Sequence, residues 1–147
     1  MKFDLESSEI IDEILPLAYI HSREIGYRLT PEPLDINVDM YRAADKAGIL
    51  RVFTIRDDGK LVGYGVFLLG YSLDRRTLKQ AHEGGFFLLP EWRKGRIALK
   101  FLEYCDNRLS EDGVNMVLYQ SPVGAKFGEI LSRRGYTKVD EVYARRI

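Results

Sequence analysis

Between Phe86 and Ala98 the chain reads Phe-Phe-Leu-Leu-Pro-Glu-Trp-Arg-Lys-Gly-Arg-Ile-Ala. An apolar strand stops at a proline, the chain turns through a basic loop containing a glycine, and an amphipathic helix starts at once. The first amides of a helix have no intrahelical acceptor, and the macrodipole adds partial positive charge there. A main-chain anion site results, suited to a pyrophosphate. Arg93, Lys94 and Arg96 set three cations beside it, and Gly95 lets a ligand approach the backbone closely. A solvated basic turn would read the same way, so the flanks must decide.

Other reactive residue types point elsewhere. Cys105 has apolar neighbours at helical spacing and is expected in the core rather than as a nucleophile. His21, among Ser22, Arg23 and Glu24, is expected at the surface. Gly63-Tyr64-Gly65 lies in a strand pattern and marks a bulge or close packing rather than a phosphate loop. Two histidines and one cysteine, scattered at 21, 82 and 105, give no metal-ligand spacing.

The whole composition narrows the classes further. A chain of 147 residues, 46% hydrophobic and 30% charged, has the length and balance of one soluble globular domain spanning 1–147. Lys plus Arg and Asp plus Glu each number 22, so the net charge is zero. That argues against nucleic acid as a partner, because non-specific binding needs a cationic surface. A lone cysteine allows no intrachain disulfide. Met1 to Glu9 is polar and acidic, unlike a secretory signal, and no apolar run approaches the roughly 20 residues of a membrane helix. A cytoplasmic protein with no membrane partner is expected, and a homodimer is left open.

The elements that must position the loop follow from periodicity and punctuation. A first helix is expected from about Ser8 towards Ile25, with Pro16 bending or dividing it. Thr30-Pro31-Glu32-Pro33 is a connection, and a second helix spans about Asn37 to Lys46, ending at Gly48. Ile49 to Ile55 and Leu61 to Tyr71 are strands joined through Asp57-Asp58-Gly59-Lys60, a strong hairpin signal. A third strand covers Gln80 to Leu89. The helix after the basic loop runs from about Arg96 to Leu109, apolar at Ile97, Ala98, Phe101, Leu102, Cys105 and Leu109. Val114 to Tyr119 reads as a buried strand, Ser121-Pro122 as the start of a helix ending at Gly135, and Tyr136 to Arg145 as a last strand. The unit from 80 to 119 is expected to be a right-handed parallel crossover. The fold class is therefore α/β, a mixed sheet with helices on both faces. Pro90 and Ser121-Pro122 should end the third and fourth strands together, which are expected to diverge just past their carboxyl ends, beside the helix start.

The segment resembles the acetyl-CoA signature of the GNAT family of N-acetyltransferases, Arg/Gln-x-x-Gly-x-Gly/Ala after a strand and Val-x-Pro. Leu88-x-Pro90 stands in for the Val-x-Pro element, Arg93 fills the first signature position and Ala98 the last, while Arg96 stands where glycine is usual. The element order is similar to that family's fold over nearly the whole chain, apart from a short or missing first strand. A closer likeness is to small acetyltransferase-like proteins of phages and prophages. It rests on Tyr41 with Ala43, Ala44 and Gly48, then Asp58 to Tyr64, Ala81-His82-Glu83, Phe87-x-x-Pro90-Glu91-x-Arg93, and Gly135-Tyr136.

The resemblance implies a central, mostly antiparallel mixed sheet with about four helices, and an amine attacking the thioester of acetyl-CoA directly. It implies a cofactor site formed by Leu88, Arg93, Lys94, Gly95, Arg96, Ile97 and Ala98, with the Leu88 amide supporting the oxyanion. Glu83 or His82 would take the proton; consecutive strand residues point to opposite faces, so at most one faces the cleft. The usual thiolate acid, a tyrosine on a later helix, corresponds to Leu131 here, with Gly124 and Phe127 at the companion positions; Tyr119 or Tyr104 could take its place. The acceptor would be a small-molecule amine or a protein amino group. Two other readings stay open: a non-catalytic module that keeps acetyl-CoA or protein binding, and a nucleotide- or nucleic-acid-binding α/β domain using the same loop.

Overall fold

The computed structural model describes residues 1–26 and 29–147. Its first strand, β1 (Lys2–Glu6), was not expected as an element. A 3₁₀ turn over Ser8–Ile10 follows, capped by the Ser7 hydroxyl, and leads into α1 (Ile11–Ile25). Pro16 lies inside α1 without dividing it. As the sixth residue of α1 it lacks the amide that would bond the Asp12 carbonyl, and its ring crowds that carbonyl, while its φ suits the helix. Gly26, left-handed at φ 58°, closes α1. Next come α2 (Val38–Lys46), β2 (Leu50–Asp57), β3 (Lys60–Tyr71), β4 (Lys79–Leu88), α3 (Ile97–Glu111), β5 (Met116–Leu118) and α4 (Phe127–Arg133).

The sheet order is β1-β2-β3-β4-β5, with β4 and β5 parallel and every other pair antiparallel. The expected hairpin forms through Asp58 and Gly59, both at positive φ (46° and 80°), as a type I′ turn requires. Gly63 is close packing, as expected: a Cβ there would come within 2.8 Å of the Phe87 carbonyl oxygen.

Two expected elements differ. The helix predicted from Ser121-Pro122 begins only at Phe127, because Gly124 takes φ 81° and breaks the turn started at Pro122. The last strand predicted at Tyr136 to Arg145 does not form; these residues are neither strand nor helix, and Val139, Val142 and Tyr143 are exposed. β-propensity alone does not make a strand; among the described residues the outer edge of β5 stays unpaired, and this tail is held elsewhere. The Arg146 guanidinium binds Glu32 at 2.6 Å and the Leu29 carbonyl at 2.8 Å.

Between α3 and the sheet lies a layer of aromatic rings. Phe101 packs against Phe3 (5.4 Å) and Phe86 (5.2 Å), and Phe53 against Phe67 (5.7 Å) and Tyr104 (5.9 Å). The opposite face is covered by Ile11, Ile14, Leu17 and Ala18 of α1. Arg56 ties β1, β2 and α1 together, with 2.7 Å to Glu6 and 2.8 Å to Glu13. The Thr54 hydroxyl also donates to Glu6. The Arg56 guanidinium is the main reason that Glu6 titrates below its ordinary value.

Arg56→Met is expected to cost about 2 kcal/mol at neutral pH, since it strands a half-buried carboxylate. A carboxylate with depressed pKa stabilises the fold above its unfolded value of 4.5, and that stability is lost as pH falls through the folded value. Urea melts should therefore show a full penalty at neutral pH and a smaller one in acid.

Candidate functional site

The site grows from the place where β4 and β5 part. They pair at Gln80–Met116, Ala81–Val117 and His82–Leu118 and no further. Divergence was expected past both carboxyl ends; it begins instead after His82, while β4 runs on to Leu88. The cause is local. Gly84 is an extra residue in β4, since Val66 faces Gly85 while Phe67 faces Glu83, and a bulge bends its strand. β5 ends at Leu118, just ahead of Ser121-Pro122.

Beyond the fork β4 presents an open edge. The Leu89 amide donates to the Val62 carbonyl at 2.9 Å, across to β3. Successive amides of a strand point to opposite sides, so those of Leu88 and Phe86 face the gap. Phe86 had no place among the expected site residues; its amide, nearer the fork, becomes visible only once the register is known.

Glu83 sits in the fork. It is 9% exposed, and its carboxylate accepts the Gln120 amide at 3.1 Å, bridging β4 to the chain just beyond β5. Burial pushes its pKa up to about 7, opposed in part by that hydrogen bond. It shares a face with its cross-strand partner Phe67, which packs against Tyr119. His82 points to the other face with Leu68 and is exposed. The two candidate bases therefore stand in different surroundings.

The Tyr119 hydroxyl donates to Asp106 at 2.8 Å, and Tyr136 donates to the same carboxylate. Burial, reinforced by Asp106, raises the Tyr119 hydroxyl far above its ordinary range. Asp106, half-buried on α3, was missed because a lone aspartate beside an apolar stripe carries no signal of its own. Tyr104 packs on Phe3 in the aromatic layer. Leu131, where the resemblance would set a tyrosine, is buried, and the Phe127 ring stacks on Phe86 at 5.6 Å.

At the basic loop, β4 ends at Leu88 and a 3₁₀ turn covers Pro90–Trp92. Gly95 takes φ 64°, which suits glycine. The Arg93 amide donates to the Pro90 carbonyl. Among the described residues, the amides of Lys94, Gly95, Arg96, Ile97, Ala98 and Leu99 find no acceptor, and no side chain caps α3. Lys94 and Arg96 are exposed without an ion-pair partner among those residues. Arg93 behaves differently: its Nε donates to the Leu88 carbonyl at 2.8 Å and its Nη2 to Glu24 at 2.7 Å. Two unpaired cations, rather than three, stand beside the free amides.

His21, expected at the surface, is half-buried; it lies 4.8 Å from the Phe87 ring and its Nδ1 is 2.8 Å from the Tyr64 hydroxyl. Cys105 is fully buried, and burial raises its thiol far above the ordinary range. Among the described residues, no group of acidic, histidine or cysteine side chains could hold a metal ion, and no helix is long and apolar enough to cross a membrane.

This arrangement can hold an elongated, anionic ligand. Its phosphates would meet the free amides before α3, and its arm would lie along the Phe86–Leu88 edge, ending beside Glu83. Comparison with known proteins bears on the family and the fold. The model of the acetyltransferase (GNAT) family matches residues 14–123. Over its full length the chain is similar to the whole of a ribosomal-protein-alanine N-acetyltransferase from Brucella melitensis biovar Abortus 2308, with 16% identity and a TM-score of 0.73. A predicted acetyltransferase with acetyl-CoA from Clostridium acetobutylicum gives a TM-score of 0.77 at 11% identity, covering 99% of this chain and 95% of that one. An aminoglycoside acetyltransferase from an uncultured soil metagenomic sample gives 0.73 at 12%, covering 99% and 93%. No curated protein matches the sequence.

Proposed function

The chain belongs to the acetyltransferase (GNAT) family, and from that premise we propose that it moves an acetyl group from acetyl-CoA to a primary amine of a small molecule or a protein. The observation that carries this reading is the fork: the buried Glu83 carboxyl, its pKa pushed up by burial, stands where β4's edge opens, on the strand that leads to the uncapped start of α3. Acetyl-CoA, when bound, supplies the activated acyl group. The amides of Lys94 to Ala98 would bind its pyrophosphate, and Lys94 and Arg96 would add charge where the 3′-phosphate lies. The Leu88 or Phe86 amide would donate to the carbonyl oxygen as negative charge develops, an interaction that is often a large part of catalysis. Glu83 would take the proton of the attacking ammonium, directly or through water. Its raised pKa suits a base near neutrality. His82, exposed on the other face, is the alternative base.

A specific observation favours a second reading. Leu131 carries no hydroxyl, and Tyr119 already gives its own to Asp106, so the departing thiolate has no obvious donor. A non-catalytic acetyl-CoA-binding module would look the same. Water can protonate a thiolate, which is why the enzyme reading is preferred. The kinship with small phage and prophage proteins rests on the motifs from Tyr41 to Tyr136 and belongs to this proposal.

Calorimetry with acetyl-CoA, followed by thiol release across a panel of amines, tests both. Heat with thiol release supports the enzyme; heat without it supports the binding module; no heat at millimolar acetyl-CoA overturns both. The double reversal Lys94→Glu/Arg96→Glu should weaken CoA binding by about 10- to 100-fold, a loss that shrinks as salt rises. The wild-type thermal shift should be larger with CoA than with dephospho-CoA.

A further inference from the structure

The Arg93 side chain engages the end of β4, the basic loop and α1 at one point. Its Nε holds the Leu88 carbonyl at 2.8 Å, and its Nη2 lies 2.7 and 3.0 Å from the two Glu24 oxygens. The guanidinium carbon sits 5.3 Å from the Phe87 ring centre, and His21, one turn before Glu24, stacks on that ring. The Arg93 and Glu24 side chains are 42% and 36% exposed. An ion pair so exposed adds little stability. Its geometry is nonetheless specific, because the planar guanidinium is held at two nitrogens, Nη2 by the two Glu24 oxygens and Nε by the Leu88 carbonyl.

We propose that Glu24 is a positioning residue for the acyl-donor site, acting through Arg93. Held between Glu24 and the Leu88 carbonyl, Arg93 closes the turn from Leu88 to Arg93. That turn aims the amides after it outward and keeps the Leu88 peptide on the open edge. Glu24 thereby joins α1 to the donor loop. The competing role is a counter-ion that Arg93 must leave before it can meet a phosphate, and it predicts the opposite sign.

The inference rests on the acetyl-CoA reading, and calorimetry with CoA on the full chain separates the two. Glu24→Ala and Arg93→Ala should each weaken CoA binding by about three- to tenfold, and the double variant should be no weaker than Arg93→Ala, as expected of directly coupled groups. Melting temperatures should stay near that of the wild type. In turnover, KM for acetyl-CoA should rise and kcat should fall with it, because the Leu88 peptide that Arg93 holds also carries a proposed oxyanion donor, and Glu24→Gln, which keeps an acceptor oxygen, should fall between. Tighter binding by Glu24→Ala would make Glu24 the competing counter-ion and overturn the proposal. Unchanged affinity, or losses that simply add in the double variant, would also overturn it. A wild type that does not bind CoA would remove the acetyl-CoA reading and this inference together.

Discussion

Glu83→Gln is expected to lower kcat/KM by about 10²–10⁴-fold, the range associated with a lost general base, and to stabilise the fold at alkaline pH. Both follow from one carboxyl in the fork between β4 and β5. In the wild type, activity should rise as pH climbs through about 7, where Glu83 loses its proton. The glutamine variant should lack that limb, whereas His82→Gln should keep it. If the limb survives Glu83→Gln and vanishes with His82→Gln, the base is His82.

The stability effect has a definite sign. A carboxyl whose pKa rises from 4.5 to about 7 on folding favours the folded state fully below 4.5, and that advantage is lost as pH rises through about 7. Above that, the ionised form costs about 3 kcal/mol, because each pKa unit is worth about 1.36 kcal/mol. The amide that replaces the carboxylate in Glu83→Gln can still accept the Gln120 amide without a buried charge. Urea melts at alkaline pH should therefore show a variant more stable than the wild type, with the gap closing in acid. A variant less stable at every pH would mean that Glu83 is not desolvated as described.

Phe101→Ala is the second change with a large expected effect, a loss of about 3–5 kcal/mol. Phe101 is 1% exposed and stacks on Phe86 at 5.2 Å, with Phe3 at 5.4 Å. Gly65 faces its ring; a Cβ there would come within 3.5 Å of it. Truncation leaves a cavity that these rings cannot all refill, since each is pinned to its own strand. Phe86 borders the proposed arm site, so CoA affinity should fall with stability. Urea unfolding with an unchanged m-value measures the loss. A cost below about 1 kcal/mol would mean that the layer packs loosely.

Much of this architecture was legible from short stretches of sequence. Asp58-Gly59 could make one kind of tight turn, and the strand–proline–basic turn–helix run ending at Ala98 announced a helix start with free amides. Asn37 before a helical repeat marked the start of α2, and its side chain does accept the Met40 amide. Each signal is written within a few residues, because a cap, a primed turn or a helix face depends on neighbours along the chain. The family signature added the cofactor by likeness.

Other features came only with the tertiary structure. Which of His82 and Glu83 lies in the fork depends on the register of β4 against β3 and on the bulge at Gly84. The Tyr119 hydroxyl is occupied because Asp106, on another element, accepts it. Arg93 pairs with Glu24, 69 positions away in sequence, and does not stand unpaired like Lys94 and Arg96. The tail after Tyr136 has the residues of a strand, yet it does not pair with the open outer edge of β5, and Arg146 ties it to Glu32 instead. These outcomes are set by pairing, burial and charge between distant segments. The chain by itself determined the loop that can hold a pyrophosphate; only the folded sheet decided which carboxyl, which amides and which cations stand around it.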